Sequence, residues 1–211
     1  MRKLQNVWLL LMLVLLMSAC GSSKKVATKE DLVGEKVAEL TKEGWKIHGA
    51  SYPLRWKLEQ HYNKMEANID LVEQLGTSSS CRSITVCRSS AINAASMEIA
   101  LKMGQKLKGN TMRDLGLDES AIIPEEYNKF QQACIGAFEG SIKGELEESF
   151  ALIRPKGDGN NDYEIYFLYD RKKAISHSTE AIKTALEKSK LREEYRESIE
   201  KSVQQTHSLF Q

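Results

Sequence analysis

Residues 145–170 read ELEESFALIR-PKGDGNN-DYEIYFLYD, and the fold class turns on this stretch. In its first third, Leu146, Phe150 and Leu152 fall on one side of an extended chain. In its last third, Tyr163, Ile165, Phe167 and Tyr169 recur at every second residue. That period, carried by aromatic and β-branched side chains, is the pattern of a strand with a buried face. Between the two runs, Pro155-Lys-Gly-Asp-Gly-Asn-Asn is turn chemistry: Pro lacks a ladder N–H, Gly accepts unusual backbone angles, and Asp and Asn bond their own backbone. The stretch predicts an antiparallel strand pair over 145–154 and 162–170.

Working upstream, residues 124–144 predict a helix. Pro124 opens it, Glu125 and Glu126 favour its positive end, and Tyr127, Phe130, Cys134, Ala137, Phe138 and Ile142 form its inner face. Gly136 and Gly140 lie inside it, where each costs about 1 kcal/mol against Ala, so a close helix crossing is expected there; Gly144 reads as the frayed end. Residues 83–108 predict a longer helix with two apolar stripes, pressed between two layers and stopped by Gly109-Asn110. Before it, 69–75 reads as a strand ahead of its alternative, the end of the preceding helix, and Gly76-Thr-Ser-Ser-Ser breaks it. Pro53 starts a helix whose face holds Leu54, Leu58, His61, Tyr62 and Met65, and Trp45-Lys-Ile-His-Gly-Ala-Ser alternates like a short strand. Thr28 and Asp31 predict the capped start of the first helix, with Leu32, Val33, Val37 and Leu40 as its stripe and Gly44 as its stop. Downstream of the pair, residues 173–205 predict one long helix, apolar at Ala174, Ile175, Ala181, Ile182, Ala185 and Leu186. Beyond Lys188 it thins to Leu191, Tyr195, Ile199 and Val203 among charges, which reads as a solvated face before it reads as a partner-binding extension. The expected fold is α+β: a small antiparallel sheet packed with several helices and ending in a long charged helix, all in one domain over 29–211.

The front of the chain has a different character. Arg2 and Lys3 precede an unbroken apolar run over 7–17, and Ser18-Ala19-Cys20 closes it with small residues. This is the layout of an export signal over 1–19. As a helix the run would be about 16 Å long, roughly half the hydrocarbon core, too short to span. Met17-Ser18-Ala19-Cys20 resembles the lipobox of bacterial lipoproteins, with Met where Leu is commonest. The resemblance implies cleavage before Cys20 and acylation of its sulfur and new N-terminus, palmitate being a usual acyl group. Two or more chains convert marginal membrane binding into stable anchoring at ~0.8 kcal/mol per buried CH₂. Gly21 and Ser22 follow without the Asp that holds such proteins at the inner membrane, so the resemblance implies the outer membrane, on its periplasmic face. Cys20 and its tether occupy 20–28, and the tether is short: the eight residues from Gly21 to Thr28 reach at most ~28 Å.

The body behind the anchor is ordinary in composition, 41% hydrophobic and 28% charged. Without Arg2 and Lys3 it carries 28 basic and 29 acidic side chains, a formal charge of −1. A balance so close to neutral lacks the basic footprint of a nucleic-acid binder. Glu43-Gly-Trp-Lys, the alanine-rich helix after Gly76, and Tyr163-Glu-Ile-Tyr-Phe followed by a charged helix resemble uncharacterised lipoproteins of Bacteroidetes-type bacteria, and more distantly small lipoproteins of the Helicobacter type. That resemblance brings no catalytic residues with it.

Several residues invite a chemical reading. Asp158, Asn160 and Asp162 alternate as the ligands of a Ca²⁺ loop begin, but such a loop needs Gly and an acid where Tyr163 and Tyr169 stand, so a polar hairpin turn is the plainer reading. Once Cys20 is acylated, Cys81, Cys87 and Cys134 remain in an oxidising space. Cys81 with Cys87 requires the chain to fold back, since six residues of straight helix rise about 9 Å. Cys87 with Cys134 would staple two helices, and buried unpaired thiols are the third arrangement. His48, His61, His177 and His207 are scattered; a hydrolase would need His61 or His177 beside Cys81 in an open cleft. Tyr163, Tyr166, Tyr169 and Trp45 read as core packing before they read as a ligand groove. No cofactor motif occurs. The first expectation is therefore a non-catalytic, lipid-anchored envelope protein whose partners are the membrane and other envelope proteins. A periplasmic module for a small ligand, glycan or ion comes second, and a hydrolase with an unrecognised site third.

Overall fold

The computed structural model describes residues 28–118 and 120–204. The export signal, Cys20 and the tether as far as residue 27 lie outside the described residues, as does His207. The chain divides after Leu32. In the leading unit the described residues begin helix α1 (Lys29–Lys42), where the Asp31 carboxylate accepts bonds from the Thr28 backbone N–H (2.9 Å) and hydroxyl (2.7 Å). This is the capping arrangement expected from the sequence.

The second unit, Val33–Gln211, holds the sheet. After α1 come β1 (Lys46–His48), α2 (Leu54–Ala67), β2 (Leu71–Cys81), α3 (Ile84–Asp114), α4 (Glu125–Lys143), β3 (Glu147–Pro155), β4 (Asn161–Asp170), α5 (Arg171–Lys188) and α6 (Glu193–Gln204). The strands form one antiparallel sheet in the order β1-β3-β4-β2. The α+β class is as expected, and the β3–β4 pair lies at the centre. Both faces of β4 are buried. On one, Tyr166 packs with Phe150 and Leu152 against Trp45 and against Val33, Leu40 and Leu58 of α1 and α2. On the other, Tyr163, Ile165 and Phe167 meet Cys87, Ala91 and Ala95 of α3. The largest cluster joins the C-terminal half of α3 to α4, α5 and α6. No helix among the described residues is long and apolar enough to cross a membrane.

Several expectations give way, each for a packing reason. β2 does not stop at Gly76; it continues through the Thr-Ser run and pairs with β4 as far as Ser78, resuming at Cys81. Gly76 is there because α3 leaves room for nothing larger: a Cβ at that position would lie 2.3 Å from the Ala91 carbonyl oxygen. Nor does α3 stop at Gly109. Thr111 is fully buried beyond the expected stop, its carbonyl accepts from Ser198 of α6 (3.4 Å), and the helix runs to Asp114, closed by Gly116 at φ +66°. There the Leu117 N–H reaches the Met112 carbonyl (2.9 Å) and the Gly116 N–H the Arg113 carbonyl (3.1 Å), a Schellman ending.

Leu146 precedes β3 and packs on the α3 side of the sheet, because a bulge between Glu148 and Phe150 shifts the register and turns Phe150 and Leu152 to the other face. Ala137 is exposed. Gly136 and Gly140 face open space; the close crossing is made by Gly104 of α3 against Ile135.

The expected long charged C-terminal helix is two helices. Arg196 of α6 folds back to donate to the Leu186 carbonyl (2.7 Å), which the Ser189 hydroxyl also reaches (2.8 Å), so α6 caps the end of α5. The stripe read as solvated is buried: Leu191, Tyr195 and Ile199 belong to the main core.

Candidate functional site

Two strand ends and a hairpin gather several of the residues singled out above, Asp162 and Trp45 among them. Asp162 starts β4 opposite Arg154 and beside the end of β2. Its Oδ2 accepts from Arg154 (2.8 Å) and its Oδ1 accepts from Lys156 (2.8 Å) and from the Ser80 backbone N–H (3.1 Å). Those bonds, Lys156 first and then Arg154, hold its carboxyl down at about 2 although burial works the other way. Ser80 has φ +55°, where the strand register shifts. Arg154 continues the cluster by stacking over Trp45 (4.6 Å), whose indole N–H donates to Glu43 (3.2 Å).

Asp158 turns elsewhere, accepting from the Asn160 backbone N–H (2.9 Å) and side-chain amide (2.7 Å). Asp158, Asn160 and Asp162 therefore do not converge on one point. The alternation belongs to a hairpin whose last carboxylate is drawn onto the sheet rim by two cations. Among the described residues, no three His, Cys, Asp or Glu side chains are grouped as metal ligands.

The cysteines take the arrangement that needed the chain to turn back. Cys81 ends β2, Cys87 lies in the first turn of α3, and the corner at Arg82 and Ser83 brings their Cα atoms within 5.5 Å for a disulfide. The bond sits in the small core beside Ala91 and Phe167. Cys134 is not stapled to Cys87. It is free and fully buried in the main core, and burial pushes its thiol up to about 12. At neutral pH it is an apolar filler and holds almost no thiolate.

Neither candidate histidine faces a thiol. His177 lies 3.5 Å from Glu145, which Lys173 also binds (2.8 Å). His61 is fully buried on α2, its Nε2 2.6 Å from the Glu73 carboxylate of β2, between the rings of Tyr62, Phe150 and Tyr166. Its Nδ1 is buried without a hydrogen-bond partner. Burial first, and the Glu73 charge after it, push the Tyr62 hydroxyl above its ordinary range. Sequence reasoning placed His61 on the inner face of α2 but missed Glu73, because a helix and a strand meet there across a turn that no spacing rule describes. The tyrosines form no groove: Tyr163, Tyr166 and Tyr169 are buried, on alternate faces of β4.

Comparison with protein-family models, with curated proteins and with solved structures finds no match. The reading thus rests on this chain alone. Three surface clefts among the described residues lie between helices, away from the residues above. One of about 400 Å³ separates α4 from the end of α5, lined by Lys129, Phe130, Ala133, Ala185, Lys188 and Lys190. Another, of about 370 Å³, lies between α5 and α6 where Arg196 is already committed to the Leu186 carbonyl. The geometry of the candidate residues is that of ties: a disulfide, a cation-locked carboxylate and a buried His–Glu pair, each joining one element to the next in the chain, with the Ser80 N–H to Asp162 bond reaching from β2 to β4.

Proposed function

We propose that this chain is a lipid-anchored protein of the bacterial cell envelope, acylated on Cys20, whose folded body serves structure or protein contact at the periplasmic face of the outer membrane. The observation that carries the reading is Met17-Ser18-Ala19-Cys20 behind a basic start and an apolar run. Two features of the body support it. A core disulfide, Cys81–Cys87, suits an exported protein, because the cytosol keeps such pairs reduced. The other thiol is sealed in the core, so no described cysteine offers a nucleophile.

The deciding experiment is mass spectrometry of the chain purified from envelopes, with the Cys20→Ser variant fractionated alongside. The reading expects an N-terminal Cys20 peptide heavier by two or three acyl chains, and a Cys20→Ser chain that no longer partitions with membranes. A native chain whose mass equals the bare polypeptide sinks it.

A further inference from the structure

We propose that an organic cation, an ammonium or guanidinium group, binds where α1 and α2 stop short of the β2 side of the sheet, held by the Glu164 carboxylate, the Tyr166 hydroxyl and Oε1 of Glu73. The inference goes beyond the envelope reading and stands on the folded body, not on the anchor.

The sheet places these groups together. Tyr166 faces α1 and α2 along with Phe150 and Leu152, and Glu164, two residues before it on β4, shares that face. Opposite them on β2 stand Leu75, paired with Tyr166, and Thr77, paired with Glu164. Glu73 follows on the same face of β2, where its Oε2 meets His61 of α2 (2.6 Å). The helix layer ends here. Leu58 of α2 and Leu152 of β3 are fully buried, Leu75 is half-buried, and Glu73 and Thr77 are exposed. An open margin therefore lies over the β2 side of β4.

The acceptors at this margin are unspent. Tyr166 is only 6% exposed, its ring stacked on Phe150 (4.4 Å) and edge-on to His61 (6.2 Å), yet no described residue bonds its hydroxyl. Burial first, then the charges of Glu164 and Glu73, push that hydroxyl above its ordinary range, so both carboxylates lie around its open end. Glu164 is half-buried and makes no hydrogen bond or ion pair among the described residues. Burial raises its carboxyl, Lys36 and Arg154 draw it down, and Glu43 and Asp162 work against them. Neither cation closes on it. Lys36 is bonded to Glu39 (3.1 Å), and Arg154 is bonded to Asp162 (2.8 Å) and stacked over Trp45. A desolvated carboxylate and a nearly buried hydroxyl without partners cost free energy that a bound donor recovers.

The same groups set the class of ligand. Two carboxylates and a phenol oxygen are complementary to a cation and repel an anion. Among the described residues no three His, Cys, Asp or Glu side chains are grouped as metal ligands, so these acceptors suit a group that carries several N–H donors and not a single metal ion. Tyr166 offers its oxygen and keeps its ring against Phe150, so a cation without N–H donors gains little there.

Calorimetric titration of the full chain in detergent at low salt tests this with N-acetyl-arginine amide, N-acetyl-lysine amide and tetramethylammonium. The proposal expects saturable binding of at least one of the two amides with a dissociation constant of about 1 mM, and tetramethylammonium about ten-fold weaker. Glu164→Gln should weaken binding about ten-fold and Tyr166→Phe about three-fold, whereas Glu147→Gln, outside the margin, should change nothing; thermal melts establish that each variant folds. Carbon NMR of labelled glutamate carboxyls adds a readout of the site itself. A bound cation favours the charged form, so a saturating probe should lower the pH at which Glu164 titrates, and affinity should fall as the pH drops through that range. A blocked Gly-Arg-Gly peptide separates the sources: affinity about ten-fold above that of the amide assigns the cation to a basic side chain of a partner chain, and equal affinity assigns it to a small molecule, both in support. Absence of saturable binding overturns the proposal. So does binding unchanged in a folded Glu164→Gln chain, and so does tetramethylammonium binding as tightly as the amides.

Discussion

Replacing Gly76 by Ala adds a single methyl group, yet the structure assigns it a large cost. The new Cβ would stand 2.3 Å from the Ala91 carbonyl oxygen and 3.0 Å from Phe167 Cε2. The first of these is backbone, which cannot rotate aside. Nor can α3 slide away freely, because the Cys81–Cys87 disulfide ties the start of that helix to the end of the same strand. Relief needs a shift of about 1 Å in a packed layer, and overpacking of this kind costs about 3 kcal/mol. For a domain of this size that lowers the unfolding midpoint by roughly 6–12 °C. The same substitution elsewhere has another sign. Gly136 and Gly140 have nothing within 4 Å of the added atom, so Ala gains helix propensity of about 0.5–1 kcal/mol at each. Gly104→Ala falls between: its Cβ would meet Ile135 Cδ1 at 2.7 Å, but that atom ends a side chain that can turn away. Urea and thermal unfolding at one fixed protein concentration measure all four, holding any association constant. A Gly76→Ala chain as stable as the parent, or a Gly136→Ala chain that loses more than Gly76→Ala, would refute the reasoning.

Three further outcomes follow from the ties between elements. Reducing the Cys81–Cys87 bond, or replacing both by Ser, should cost about 2 kcal/mol, the closure entropy of so short a loop; thermal melts with and without reductant read it, and an unchanged midpoint contradicts it. Iodoacetamide should leave Cys134 unlabelled in the native chain and label it in urea, since burial holds the thiol protonated; prompt native labelling would place that residue outside the core. Asp162 has a folded value held down at about 2 against an ordinary 3.8, so its contribution is complete above about pH 4 and drains away as the pH falls toward 2. With Arg154 and Lys156 more than a third exposed, solvent screening reduces that contribution to about 1 kcal/mol. Asp162→Asn should lose it at pH 7 and flatten the acid limb of a stability–pH curve; an unchanged limb counts against the lock.

The elements written most plainly in the chain are those whose local chemistry and tertiary packing agree. Tyr163, Ile165 and Phe167 alternate because α3 covers that side of β4, and Tyr127, Phe130, Cys134, Phe138 and Ile142 keep helical spacing because one core receives them all. The C-terminal stripe was equally legible in position: Leu191, Tyr195 and Ile199 recur every four residues among charges. Its burial was not, because the chain reverses after Lys188 with neither Gly nor Pro to mark the bend, and the cap comes from Arg196 further along. The candidate site was legible to the same extent. Asp162 stood out as an acid in a turn, but its cations come from β3 and the hairpin, and the Cys81–Cys87 pairing depends on a strand-to-helix corner that no count of intervening residues reveals.

Magnitudes explain why glycine misled in β2 and α3. A Gly inside a helix costs about 1 kcal/mol, whereas burying one large apolar side chain contributes roughly 1.5–3 kcal/mol. At Gly109 the local penalty is therefore outweighed once Leu107 and Thr111 reach the core and Ser198 of α6 donates to the Thr111 carbonyl, so the helix runs on to Asp114. At Gly76 the balance is tighter still, since any side chain there would push α3 off the sheet and part Ala91 and Ala95 from Phe167. A residue that ends an element by its own preferences is kept inside one here because a distant backbone needs the space. The Ser-rich run after it has no apolar face to present, yet it stays in the strand because its backbone pairs with β4 as far as Ser78.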